Sequence, residues 1–262
     1  MNRIDTCFKE LSLNNYKGLI TFISGGDPTL DITEKLLLAM DNAKVDILEV
    51  GVPFSDPIAE GKTIQRSSSR AIKSGTSVDK LLNLISNIRN RIKAPIVFMM
   101  YTNTIYKYGI DKFFSECHRC GIDGIIIADL PIEEFDEFES IANNYNIYLI
   151  RIITPVSGKR IKKITNGAKG FLYCVSTNGV TGTRNSYTTD FNKFRKEYGR
   201  DAKIPTALGF GISTPEQVKE LKEYADAIII GSAIVNIIEE YKEECIPRVI
   251  KYIEEIKATL SN

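Results

Sequence analysis

The sequence predicts an α/β protein folded as a (β/α)8 TIM barrel, on three observations. Eight short apolar, β-branched runs recur along the chain, separated by stretches with helical spacing. The runs are continuously apolar, as strands buried on both faces of a parallel sheet are. The length of 262 residues matches the roughly 250 that one barrel needs. No Pro/Gly/Ser-rich linker or low-complexity segment divides the chain, so residues 1–262 are expected to form a single domain. A doubly wound open sheet is the competing arrangement of the same alternation.

Taken in order, Arg3–Asn14 is expected as an extra N-terminal helix closing the bottom of the barrel. The expected strands are Leu19–Ser24, Ile47–Val50, Ile96–Met100 and Gly124–Ala128, then Tyr148–Ile153, Phe171–Val175, Thr206–Gly209 and Ala227–Ile230. Asp31–Asn42 reads as a helix, with Leu36, Leu37 and Met40 on one face and Thr29 or Asp31 as cap. Val78–Ile92 repeats the pattern through Leu81, Leu82, Ile85 and Ile88. Asp111–Cys120, Glu133–Tyr145, Gly158–Asn166, Phe191–Tyr198, Pro215–Tyr224 and Tyr241–Ala258 complete the alternation. Gly121, Gly167 and Gly199 stand where helices should stop. The polar, Gly-bearing stretch Ser176–Asp190 is long for a connection and is expected to be a functional lid.

Composition narrows the function by exclusion. Thirty-four basic against thirty-three acidic residues give a net charge of +1. That is no electrostatic footprint for nucleic acid. Residues 1–15 lack the apolar core of a signal peptide, and no apolar run approaches the roughly eighteen residues of a membrane span. Five dispersed cysteines suit a reducing compartment rather than a disulfide framework. A cytoplasmic protein is expected.

In a barrel the active groups sit at the C-terminal ends of strands. Glu49 lies there, between Leu48 and Val50. Strand alternation turns those neighbours outward onto helices and Glu49 into the barrel. An apolar barrel mouth raises a carboxyl pKa, as a general acid near neutral pH requires. The bland alternative is a core glutamate paired with a cation, but few cations lie at the other strand ends. Glu60, in the same loop, is either a second working carboxylate or an exposed helix-start residue, and the residues alone leave that open. Asp56 before Pro57 reads as turn chemistry. Strands 7 and 8 close with LGFGIST (208–214) and IIIGSAIV (228–235). Gly209, Gly211 and Gly231 either make tight turns or let backbone N–H groups approach an anion. A short helix starting near Ser232 would add its dipole. Phosphate after strands 7 and 8 is the recurrent barrel arrangement.

Other signals fail. Gly61-Lys62-Thr63 resembles the end of a P-loop, but Asp56 occupies the place of its first glycine. Gly209 and Gly211 lack the third glycine of a dinucleotide fingerprint. Cys117 and Cys120 form a C-x-x-C inside a helix with no second cysteine pair. The sole histidine, His118, lies in that helix and not at a strand end, which argues against a Ser/His/Asp triad.

From Phe8 to Glu240 the chain resembles the tryptophan synthase alpha subunit family. LEVGVPFSDPIAEG (48–61) matches its signature. Met100-Tyr101-Thr102-Asn103, Ala128-Asp129-Leu130-Pro131, Tyr173, Gly179-Val180-Thr181-Gly182, Gly209-Phe210-Gly211-Ile212-Ser213 and Gly231-Ser232-Ala233-Ile234-Val235 follow in the family's order. The resemblance implies retro-aldol cleavage of indole-3-glycerol phosphate to indole and glyceraldehyde 3-phosphate, with no cofactor and no metal. It implies Glu49 as the general acid/base, Glu60 facing the indole N–H, and Tyr173 as a positioning group. Phe22, Met100, Ile126 and Phe210 would line the indole pocket. Gly182, Gly211, Gly231 and Ser232 would hold phosphate, and Thr181 would help close the site. A pyridoxal-phosphate-dependent beta subunit would be the partner in an α2β2 complex, touched by Pro53–Pro57. One departure stands out: the family usually has Asp where this chain has Glu60. Asn178 and Asn185 also make the loop unusually polar. Two other readings remain from the sequence: another phosphate-binding barrel acting on an indole or sugar phosphate, and a non-enzymatic subunit that activates a partner.

Overall fold

The computed structural model describes residues 1–175, 204–209 and 211–261. Among the described residues there are nine strand segments: β1 (Gly18–Ser24), β2 (Ile47–Gly51), β3 (Ile96–Met100), β4 (Gly124–Ile127), β5 (Tyr148–Leu149), β6 (Arg151–Ile153), β7 (Leu172–Val175), β8 (Thr206–Gly209) and β9 (Ala227–Ile230). All pair in parallel, in the order β5-β4-β3-β2-β1-β9-β8-β7-β6. The two ends of that order are consecutive in the chain. The fifth expected strand is divided at Ile150: its first half pairs with β4 and its second with β7. The barrel therefore closes through one covalent segment. Chain, not hydrogen bonds, carries the seam, and the Ile150 N–H still reaches the Ile125 carbonyl at 2.9 Å.

Side-chain alternation splits the apolar residues into two cores. The inner core includes Ile20, Ile47, Val97, Ile126, Phe171 and Ile229. The outer core, between strands and helices, takes Leu48, Val50, Phe98, Ile125, Leu172 and Ile228. Helix α1 (Arg3–Leu13) plugs the bottom, its Ile4 and Phe8 joining the inner core. The Asn2 side chain caps it by accepting the Ile4 N–H at 3.0 Å. Thr29 caps the Leu30–Asn42 helix in the same way.

Two helices are additional to those expected and one expected helix is corrected. Lys62–Lys73 is a full helix absent from the expected elements. Its inward face carries Ile64, Ser67, Ser68 and Ala71, so its apolar signal is sparse. The serines serve as polar ties: Ser67 Oγ lies 2.5 Å from Ser24 Oγ. A second unforeseen helix, Thr102–Tyr108, follows β3. The helix expected over Tyr241–Ala258 begins only at Ile246 and runs to Ser261; Tyr241 instead ends the Ser232–Tyr241 helix, and a 3-10 turn at Lys242–Glu244 lies between the two. Phe191–Tyr198 lies outside the described residues, as does the stretch Ser176–Asp190. No helix among the described residues is long and apolar enough to cross a membrane.

Candidate active site

The C-terminal mouth of the barrel holds a cavity floored by inward-facing strand residues. Glu49 reaches it from β2, Phe22 from β1, Met99 from β3 and Tyr173 from β7. Parity explains the set. Phe22 pairs in register with Glu49, and Gly51 with Met99. Gly51 matters sterically: a Cβ there would stand 2.6 Å from Phe22 Cζ, so only glycine leaves room for that ring. Glu60 enters from the loop after β2, next to Gly61, which starts the Lys62–Lys73 helix. Gly211, Ile212, Gly231 and Ser232 line the opposite side.

Glu49 is 1 % exposed, and neither carboxylate oxygen has a hydrogen-bond partner among the described residues. Burial, and then the Glu60 charge, push its pKa up to about 8. A carboxyl in that state is protonated at neutral pH and near balance between acid and base. Glu60 is 5 % exposed, so it is no surface helix-start group. Tyr173 is buried beside them, and burial, then Glu49 and Glu60, raise its phenol well above the ordinary range. It is a neutral hydroxyl at working pH.

The small residues cluster on the far wall. Gly211 has a φ of +82°, a conformation that L side chains rarely adopt. Gly231 stands at the N-cap of the Ser232–Tyr241 helix, whose first backbone N–H groups have no intrahelical acceptor. The cavity thus has an acidic, aromatic side and a side of glycine, serine and free-ended helix.

Two expected pocket residues are placed elsewhere. Met100 faces the outer core; Met99 takes its role as a lining residue. The matched block marks the strand end, but side chains alternate, and Glu49's inward orientation with parallel pairing already fixes 97 and 99 as inward. Ile126 does face the inner core, without lining the cavity. Thr181, Gly182 and Phe210 lie outside the described residues. Sequence reasoning missed Ile64, Ile212 and Ile229, which also line the cavity. Ile64 was hidden with its helix. The C-x-x-C pair is buried within the Ile110–Cys120 helix, and burial raises the Cys117 thiol well above its usual value. No metal-holding cluster of His, Cys, Asp and Glu occurs among the described residues.

A parallel barrel with two buried carboxyls lining a cavity at its C-terminal mouth places the chain in the (β/α)8 class. The profile of the family described as tryptophan synthase alpha chain matches residues 8–261. The tryptophan synthase alpha chain of Caldanaerobacter subterraneus subsp. tengcongensis is 44% identical over 260 residues, covering 99% of this chain and 98% of that one. Among solved structures, tryptophan synthase subunit alpha from Legionella pneumophila superposes with a TM-score of 0.90 at 32% identity, covering 100% and 99% of the two chains. A chain of the Pyrococcus furiosus tryptophan synthase α2β2 complex gives 0.86 at 36% identity, over 93% and 99%. The chain belongs to the tryptophan synthase alpha chain family. It is a carbon–carbon lyase that cleaves indole-3-glycerol phosphate in tryptophan biosynthesis.

Proposed function

We propose that Glu49 is the general acid/base of this cleavage, on one observation above all: a carboxyl buried at a strand end, with no hydrogen-bond partner among the described residues and its pKa raised to about 8. Its proton goes to indole C3, leaving a cationic ring. The resulting carboxylate takes the proton of the glyceryl hydroxyl next to the ring. The C–C bond then breaks, its electron pair neutralises the ring, and indole and glyceraldehyde 3-phosphate separate. Glu60 faces the indole N–H and stabilises the cationic stage. Tyr173 orients the substrate and Glu49. Phe22 and Met99 supply apolar walls. Gly211, Gly231 and Ser232 take the phosphate through backbone N–H groups and a hydroxyl, as small residues at a helix start can.

The partner in this reading is a pyridoxal-phosphate-dependent beta subunit in an α2β2 complex, supported by the Pyrococcus furiosus assembly. The segment Pro53–Pro57 would meet it; Ile58 beside that segment is 79 % exposed. Five dispersed cysteines, four of them buried, support a cytoplasmic setting. The test is indole release from indole-3-glycerol phosphate by wild type and Glu49→Gln, alone and with a beta subunit. Substantial turnover by purified Glu49→Gln would refute the assignment. For the phosphate wall, Gly211→Val should raise KM for the phosphate ester. An unchanged KM would put the phosphate elsewhere.

A further inference from the structure

We infer that Tyr101 is a positioning residue for the Glu60 carboxylate, acting through the backbone N–H of Ala59. The inference rests on the reading of Glu60 as the group facing the indole. Tyr101 immediately follows β3 and is 5 % exposed. Its hydroxyl accepts the Ala59 N–H at 3.1 Å, one residue before Glu60. Its ring stacks on Phe54, with centroids 4.9 Å apart and planes 21° from parallel. The same side chain therefore grips the acidic loop at both ends of the 54–59 segment.

The grip is anchored on each side. Ser68, on the Lys62–Lys73 helix, accepts the Phe54 N–H at 2.9 Å and donates to the Phe54 carbonyl at 2.8 Å. Past Tyr101, Asp129 Oδ1 accepts both the N–H of Thr102 at 2.8 Å and its hydroxyl at 2.7 Å. The backbone of Glu60 is tied as well: its N–H reaches the Pro57 carbonyl at 3.0 Å, and its carbonyl accepts from Gln65 Nε2 at 2.8 Å. Burial, then the Glu60 charge, keeps the Tyr101 phenol protonated, so the hydroxyl accepting Ala59 is neutral.

A glutamate needs such a frame more than a shorter acid would. It has one more rotatable bond, and its carboxylate sweeps a wider arc if the backbone shifts. Errors near 1 Å in a catalytic group can cost on the order of 10²-fold in rate. Tying residues 54–60 by hydrogen bonds fixes the backbone point from which the Glu60 side chain reaches into the site.

The experiment is a double-mutant cycle on indole release by the chain with a beta subunit. Tyr101→Phe deletes the hydroxyl and keeps the stacked ring. With Glu60 present it should lower kcat roughly tenfold, within the cost of a sub-ångström displacement, and leave KM within about twofold. In a Glu60→Gln background it should cost nothing further. Phe54→Leu, which removes the stack and keeps the hydroxyl bond, should show the same dependence on Glu60 with a smaller loss. The alkaline pKa of the kcat/KM profile should also fall in Tyr101→Phe, because the Glu60 charge that helps raise Glu49 has moved. Unchanged kcat in Tyr101→Phe, or an equal loss in both backgrounds, overturns the inference and leaves the Glu60 reading standing. Wild-type rates in Glu60→Gln overturn both.

Discussion

The two ends of the barrel each bury a carboxylate and treat it in opposite ways. At the bottom, Asp123 is 4 % exposed and fully engaged. Arg3 donates to Oδ1 at 2.7 Å, the Ile96 N–H reaches Oδ2 at 2.9 Å, and the Arg89 guanidinium lies 3.8 Å away. Asn2 ties the plug to the Asp123 carbonyl at 2.9 Å. At the mouth, Glu49 is as deeply buried and has neither a cation nor a donor among the described residues. A buried acid left without a partner destabilises the fold, whereas a paired one holds elements together. The bottom spends its carboxylate on closing the barrel, and the mouth keeps one whose proton is available for chemistry.

The largest effect that would test this contrast is on rate. Glu49→Gln should cut indole formation by at least the roughly 10²–10⁴-fold typical of general acid–base catalysis. Substrate analogues should still bind, since the amide is nearly isosteric. Wild-type kcat/KM should fall as pH rises through about 8, where Glu49 loses its proton. A profile flat through that range would leave the mouth's acid without its assigned role.

The next effect belongs to the bottom. Asp123→Ala leaves the Ile96 N–H and Arg3 Nη1 without their acceptor and removes the carboxylate charge beside Arg89, so unfolding should become easier by about 3 kcal/mol. Urea midpoints measure this. The kcat of the folded fraction should stay close to wild type, because no group at the mouth touches Asp123. A large fall in kcat with unchanged stability would erase the division between the two ends.

Much of this contrast was legible in the sequence, and the limits have physical causes. Continuous apolar runs disclosed the parallel strands, because burial on both faces removes the need for polar residues. Glu49 stood out for the same reason, as the one acid inside such a run. The helix Lys62–Lys73 stayed hidden because it buries Ser67, Ser68 and Ala71, small residues that leave little apolar periodicity. Met99 lost its place to Met100 because motif boundaries were followed where strand parity decides. Glu60 could not be settled from its neighbours: a loop residue's burial depends on what packs over the loop. The glycines at the ends of strands 7 and 8 already pointed to an anion site; the resemblance to a known family supplied the substrate, which no spacing argument could have reached.

The smallest effect sharpens the comparison most, because its sign differs between the two ends. Burial raises Glu49's pKa to about 8 in the folded chain, against an ordinary value of 4.5. For an acid shifted upward, the folded state holds a proton that the unfolded chain releases. Stability is therefore unaffected below about pH 4.5 and declines as pH rises toward 8, where the folded form also ionises. Glutamine cannot ionise in either state, so Glu49→Gln escapes that decline. It should match wild type near pH 4 and exceed it at pH 8–9 by on the order of 1–3 kcal/mol, below the full linkage value because a buried carboxylate draws in compensating relaxation. Urea unfolding of both proteins across that range gives the difference directly. Removing the acid at the bottom weakens the fold, whereas removing the acid at the mouth strengthens it while abolishing turnover. A Glu49→Gln protein less stable than wild type at pH 8–9 would mean that the carboxylate is paired in solution, and the contrast between the two ends would collapse.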